Sequence, residues 1–145
     1  MYCDTSVFGG YFEEGFREST RQLFELIRNG SMRLIVSDIT LLELRRAPDH
    51  VRALLGDLPE GSVEQLLVTE EIGNLRDAYL KARIVGPASD RDAGHIASAT
   101  VAKADLIVSW NFKHIVHFEK IRGYHGVNKI LGYPEVPIHS PLEVI

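Results

Sequence analysis

The chain has 145 residues, 45% of them hydrophobic, with a single cysteine. That length suits one domain, residues 1–145, able to bury roughly 70% of the surface its unfolded form exposes, and the lone cysteine excludes an internal disulfide. Sixteen Lys and Arg against twenty Asp and Glu give a formal net charge of -4, so the chain has no global attraction for a polyanion, and no run approaches the ~20 apolar residues of a membrane span.

The first residues carry neither the basic nor the apolar region of a signal peptide, and a cytoplasmic protein with no membrane partner is expected. The chain opens with MYCDTSVFGG, a short apolar run in which Cys3 reads as a small core residue. The run ends in Asp4, followed by small residues and two glycines. A carboxylate where a strand leaves the core is awkward for packing and useful for chemistry. With three residues before Asp4 this would be a very short central strand, so either it continues past Asp4 or its natural start lies upstream.

In EGFRESTRQLFELIRNG, Phe16, Leu23, Phe24 and Ile27 recur at helical spacing and Asn29-Gly30 is a helix stop. MRLIVS then changes period to a short buried strand. SDITLLELRRAP begins on Ser37 and Asp38 as candidate caps, runs through Leu41, Leu42 and Leu44, and ends at Pro48. The stretch from Asp49 to Pro87 reads as helices separated by Gly56 to Pro59 and closed by Gly86-Pro87, with no strand. SDRDAGHIASATVAKA is an Ala-rich helix with Ser89 as its cap, and DLIVSWN is another buried strand. FKHIVHFEKIRGYHGV is expected to be helical from its start, and VPIHSPLEVI to hold a last strand. Strands alternating with helices predict an α/β fold, a three-layer α/β/α sandwich around a central parallel sheet.

In such a sheet, ligands collect at the carboxyl ends of the strands, beside a reversal in strand order. Asp4 ends the first strand, Asn111 ends DLIVSWN, Asp92 lies in the first turn of the preceding helix, and Glu43 lies about a turn and a half into the helix after MRLIVS. All four can face one edge. Three carboxylates there repel one another unless a cation lies between them, and oxygen ligands without cysteine suit Mg²⁺ or Mn²⁺. The chemistry implied is metal-assisted attack of water on a phosphodiester. Each residue has a plainer reading as well. Asp4-Thr5-Ser6 could form a turn or cap, Glu43 could be an exposed helical residue, Asp92 could complement a helix N-terminus, and Asn111 could be a turn residue.

Taken together, YCDTSVFGG, SDITLLEL, DAGHIASA, LIVSWNFKHIV and GYPEVPIHSPLEVI, in that order and spacing, resemble the PIN-domain family, and within it the VapC-like toxin ribonucleases of type II toxin–antitoxin pairs. The resemblance spans nearly the whole chain. It places the family's three acids on Asp4, Glu43 and Asp92, the last preferred to Asp90 because DAGHIA matches the family's Asp-Ala-x-His-Ile-Ala. The fourth polar position falls on Asn111, where many relatives have Asp, so one formal charge is lost. Asn111 would bind metal weakly, hold a metal-bound water, or orient a neighbouring carboxylate.

The resemblance implies a Mg²⁺- or Mn²⁺-dependent endoribonuclease, inhibited by a small antitoxin protein and self-associated as a homodimer. Thr5 and Ser6 are candidate hydrogen-bond donors beside the first acid. Arg45, Arg46 and Lys113 are candidates for RNA phosphates, with a solvated helix face as the alternative. His95 reads as a hydrogen-bonded packing residue, His114 and His117 as weak ligand candidates, and Trp110 as core. Two other functions fit parts of the pattern. One is a non-catalytic PIN-fold module binding RNA or protein. The other is a phosphatase with Asp4 as nucleophile, although enzymes of the haloacid-dehalogenase type have a second Asp two residues on, where this chain has Ser6.

Overall fold

The computed structural model describes residues 1–145. Five strands form one all-parallel sheet in the order β3-β2-β1-β4-β5, with β1 Tyr2–Cys3, β2 Leu34–Ser37, β3 Val63–Leu66, β4 Ile107–Val108 and β5 Ile138–His139. Seven helices lie between them: α1 Thr5–Gly10, α2 Arg17–Arg28, α3 Asp38–Leu44, α4 Asp49–Gly56, α5 Glu70–Lys81, α6 Asp90–Val101 and α7 Phe118–Leu131. This is the three-layer α/β/α sandwich expected from the alternation of strands and helices. No helix is long and apolar enough to cross a membrane.

Strand periodicity divides the core. Cys3, Leu34, Val36 and Val108 pack with Phe8 of α1, Leu23, Phe24 and Ile27 of α2 and Val51 and Leu54 of α4. Their neighbours Tyr2 and Ile107 face the opposite side, against Leu75 and Tyr79 of α5, Ala93, Ile96 and Ala97 of α6 and Tyr124 of α7. Because successive side chains of a strand alternate faces, two buried residues per strand are enough to feed both layers. The small side chains of α6 let it lie close against the sheet, and its residues Ala93 through Thr100 are all buried.

Several elements differ from the expectation. β1 stops at Cys3 and α1 begins at Thr5, so the first strand does not continue past Asp4. The stretch between α4 and α5 contains β3, whose VEQL is half-exposed at the sheet edge. Only one side of an edge strand need be apolar, and Glu64 and Gln65 hid it. Residues 112–117 are turns rather than helix, and α7 starts at Phe118. Ser89 occupies the N-cap position of α6 without a side-chain capping bond. Asn29 and Gly30 do end α2, with Gly30 at φ +82°.

Strand order runs outward from β1 to β2 and β3, then returns to β1's other side for β4 and β5. The reversal lies between β1 and β4. At such a switch point the connections leave in opposite directions and open a crevice above the strand ends.

Candidate active site

Asp4 follows β1 and occupies the N-cap position of α1, but its side chain does not cap the helix. Instead its Oδ1 accepts a hydrogen bond from Ser6 Oγ at 2.6 Å. Ser6 Oγ in turn accepts from the backbone N–H of Trp110 at 2.9 Å and lies 3.3 Å from Ser109 Oγ. These contacts knit the end of β1 to the end of β4. Asp4 is 4% exposed, and burial pushes its carboxyl up to about 6. The charge of His95 and the hydroxyls of Ser6 and Ser109 oppose the rise, and Asp92 adds to it.

Glu43, on α3, is fixed by its neighbours. Its Oε1 accepts from Thr5 Oγ1 at 2.8 Å and from His95 Nε2 at 2.6 Å. Burial works to raise its carboxyl, but the hydrogen bond and charge of His95, the Thr5 hydroxyl and the charge of Arg91 outweigh it, and the net shift is downward. Glu43 therefore ionises at lower pH than Asp4.

His95 is 1% exposed on α6, with Nδ1 2.6 Å from Tyr2 Oη, and Tyr2 Oη is 2.8 Å from Ser37 Oγ. A carboxylate can only accept, so Nε2 carries the proton given to Glu43. Burial disfavours the charged ring, but Tyr2 and the carboxylates of Glu43 and Asp4 reverse this and hold its titration well above the ordinary range. The expectation of a hydrogen-bonded packing histidine holds, and the partner it packs against is one of the three acids.

Asp92, in the first turn of α6, accepts at Oδ1 from Asn111 Nδ2 at 3.2 Å. Burial raises its carboxyl, the charges of His95 and His114 and the Asn111 amide pull it down, and Glu43 pushes it up. The carbonyl oxygen of Asn111 accepts the backbone N–H groups of Lys113 at 3.2 Å and His114 at 2.9 Å. Those bonds fix which end of the amide faces Asp92. Of the roles open to Asn111 on sequence, orienting a neighbouring carboxylate is the one its hydrogen bonds serve.

All four polar residues thus gather where β1 and β4 end, with Glu43 tied in through Thr5 and His95. Asp90 is exposed and makes no side-chain hydrogen bond, so the network selects Asp92 of the two. Arg45, Arg46 and Lys113 are exposed, and none of their side chains bonds to an acid of the site. Trp110 is core, stacked on Phe16 at 4.3 Å with its indole N–H on Thr20. His117 is exposed, while His114 Nδ1 is a buried polar atom with no partner. Sequence reasoning missed the bond from His95 to Glu43, its backing by Tyr2, and the proximity of Arg91 and Ser109. The three-residue spacing of Asp92 and His95, which puts both on one face of α6, was the available signal.

In chemistry, the carboxylate oxygens are the donors a hard divalent cation takes. Each carboxylate has one oxygen held by the protein: Asp4 Oδ1, Glu43 Oε1 and Asp92 Oδ1. Glu43 Oε2 and Asp92 Oδ2 accept no hydrogen bond. Oxygen donors with their partners' orientation already set are what Mg²⁺ or Mn²⁺ takes, with water completing the shell. The acids, histidines and cysteine do not close into a ready-made metal cage, and the charge of His95 already lies among the three acids. No known protein family matches the chain, and no curated protein matches it.

Proposed function

We propose that the protein is a divalent-metal-dependent endoribonuclease. One observation carries this reading: three carboxylates converge at the topological switch point, two of them raised by burial and mutual repulsion, and each is anchored through one oxygen. His95 offsets part of that charge, and a bound cation would offset the rest.

Asp4, Glu43 and Asp92 would hold Mg²⁺ or Mn²⁺. When bound, such an ion neutralises charge on a phosphodiester and makes water more acidic. The chain's own contribution is orientation. Thr5 and His95 fix Glu43, Ser6 fixes Asp4, and Asn111 fixes Asp92. With one oxygen of each tied, the carboxylates cannot swing away when a phosphate approaches, which removes reorganisation from the reaction. RNA as substrate, a small protein antitoxin as inhibitor and assembly as a homodimer are further parts of the proposal, and they rest on the resemblance to VapC-like PIN domains. The phosphatase reading is weaker, because Ser6, in place of a second acid, spends its hydroxyl on Asp4.

The test is cleavage of structured and single-stranded RNAs by the purified protein with Mg²⁺, Mn²⁺ or EDTA, alongside Asp4→Asn and Asp92→Asn. Cutting that needs metal and falls by at least about 100-fold in both variants is expected. Equal cutting by wild type and both folded variants would remove the acidic cluster from the chemistry. Metal binding without cleavage of any RNA would favour the non-catalytic module.

A further inference from the structure

A groove of about 320 Å³ lies between α1 and α4 and reaches the acidic cluster through Thr5. Its floor is Gly9, which has no side chain, and its walls include Phe12, Pro48 and His50. The Phe12 and His50 rings meet edge to face, with centroids 4.6 Å apart. Thr5 belongs to both places: it lines the groove, and its hydroxyl is bonded to Glu43. Glu13 hangs over the bare floor, its Oε1 3.5 Å from where a Cβ on Gly9 would lie. The Glu13 carboxylate forms no salt bridge within the chain, unlike Glu25, which pairs with Arg28.

We propose that this groove is a nucleobase subsite that receives one unstacked guanine of the RNA, next to the phosphate being cut. Aromatic and apolar walls suit the face of a base, and single-stranded RNA is read by such stacking. Selectivity comes from Glu13. A carboxylate only accepts hydrogen bonds, and guanine alone among the four bases presents two adjacent donors, N1–H and N2–H₂, on one edge. Adenine offers a single donor beside an acceptor, which the carboxylate would repel. Continuity through Thr5 puts the base within one nucleotide's reach of the acidic cluster. The proposal rests on the ribonuclease reading for its substrate, but not for the existence of the pocket.

Two variants leave the acidic cluster alone. Gly9→Leu plugs the floor: Gly9 has an ordinary negative φ, and the nearest atom to its new Cβ is only the tip of Glu13. Glu13→Gln replaces one acceptor oxygen by a donor. Binding is read first, without cleavage, from NMR shifts of the His50 and Phe12 rings on adding guanosine 5′-monophosphate or its inosine counterpart, which lacks N2–H₂. Guanosine should move both rings, inosine should bind about tenfold more weakly or worse, Glu13→Gln should erase that difference, and Gly9→Leu should abolish binding. Cleavage sites in a randomised RNA pool should then show guanine at one fixed position beside the cut, lost in Glu13→Gln.

The two readings fail separately. Guanosine shifts in His50 with no RNA cleavage would overturn the nuclease and leave the subsite standing. Metal-dependent cleavage with unmoved rings and no guanine bias, or an identical bias in Gly9→Leu, would overturn the subsite. The same holds if the rings move only with an apolar peptide, which would make the groove a protein-docking surface.

Discussion

His95 Nε2 lies 2.6 Å from Glu43 Oε1 and joins α6 to α3 across the end of the sheet. The imidazole is backed by Tyr2 from β1 and the carboxylate by Thr5 from α1, so one buried chain of hydrogen bonds connects four elements. Removing the imidazole leaves Glu43 without its strongest donor and Tyr2 facing a void. His95→Ala should destabilise the protein by about 2–3 kcal/mol, below the range for a fully buried pair because the Glu43 side chain is 25% exposed. The effect is pH-dependent. His95 titrates higher when folded, so its linked stabilisation is complete below the unfolded value of 6.5 and fades as pH rises toward about 10. Urea unfolding at pH 6 and pH 9 should therefore show a smaller gap between wild type and variant at pH 9. A gap below about 0.5 kcal/mol at pH 6 would mean that the contact does not hold the site together.

Asp4, once ionised, destabilises the fold where the charged His95 stabilises it, and both contributions fall as pH rises. Its carboxyl is raised from 3.8 to about 6, so the folded protein binds this proton more tightly than the unfolded chain, and stability is lost as pH climbs through that window. Asp4→Asn removes the penalty while keeping an oxygen for Ser6 to donate to. In EDTA at pH 7.5 the variant should be more stable than wild type by about 2 kcal/mol, and at pH 4 the two should nearly coincide. Urea midpoints at both pH values check this. A less stable variant at pH 7.5 would show that Asp4 is compensated within the chain and needs no cation.

These opposed effects show what the sequence could and could not reveal. Asp4, Asp92 and Asn111 were legible because their distance from a strand end or helix start is fixed by local periodicity, and the switch-point rule supplies the rest. Glu43 was legible as a polar residue set among Leu41, Leu42 and Leu44. The partners were not. The bonds of His95 to Tyr2 and Glu43 span 93 and 52 positions of the chain, and only packing of α6 against α3 and β1 creates them. The strand β3 was hidden because Glu64 and Gln65 point to solvent at an edge, and α1 because TSVFGG carries two glycines that ordinarily interrupt helices.

The second of those glycines, Gly10, differs from Gly94. A Cβ on Gly10 would lie 2.6 Å from both Cδ1 and Nε1 of Trp110, a ring stacked on Phe16 and bonded to Thr20. A Cβ on Gly94 would also meet an atom at 2.6 Å, but that atom is the Cδ1 tip of half-buried Ile39, which can turn aside. Gly10→Ala should cost about 1–3 kcal/mol by overpacking and alter Trp110 fluorescence. Gly94→Ala should cost less than about 1 kcal/mol, since the helix-forming gain offsets the adjustment of Ile39. Urea unfolding of both compares them directly, and equal losses would show that the two neighbours are equally rigid.

Asn111→Asp tests whether the cluster is built around a missing positive charge. The substitution turns the Asn111 amide donor into an oxygen facing Asp92 Oδ1 at the same 3.2 Å, while the backbone N–H groups of Lys113 and His114 keep their acceptor. Without metal a fourth carboxylate adds repulsion and removes one hydrogen bond, so the variant should lose about 1–2 kcal/mol. With a cation present the same charge becomes attractive, and by mass action a tighter-binding native state gains more from added metal. The rise in Tm on adding Mn²⁺ should therefore exceed that of wild type by several degrees, about 3 °C for each kcal/mol at this chain length. A variant that is less stable in EDTA and gains no more than wild type from Mn²⁺ would place the cation away from Asp92, and the acidic cluster would then need a different explanation.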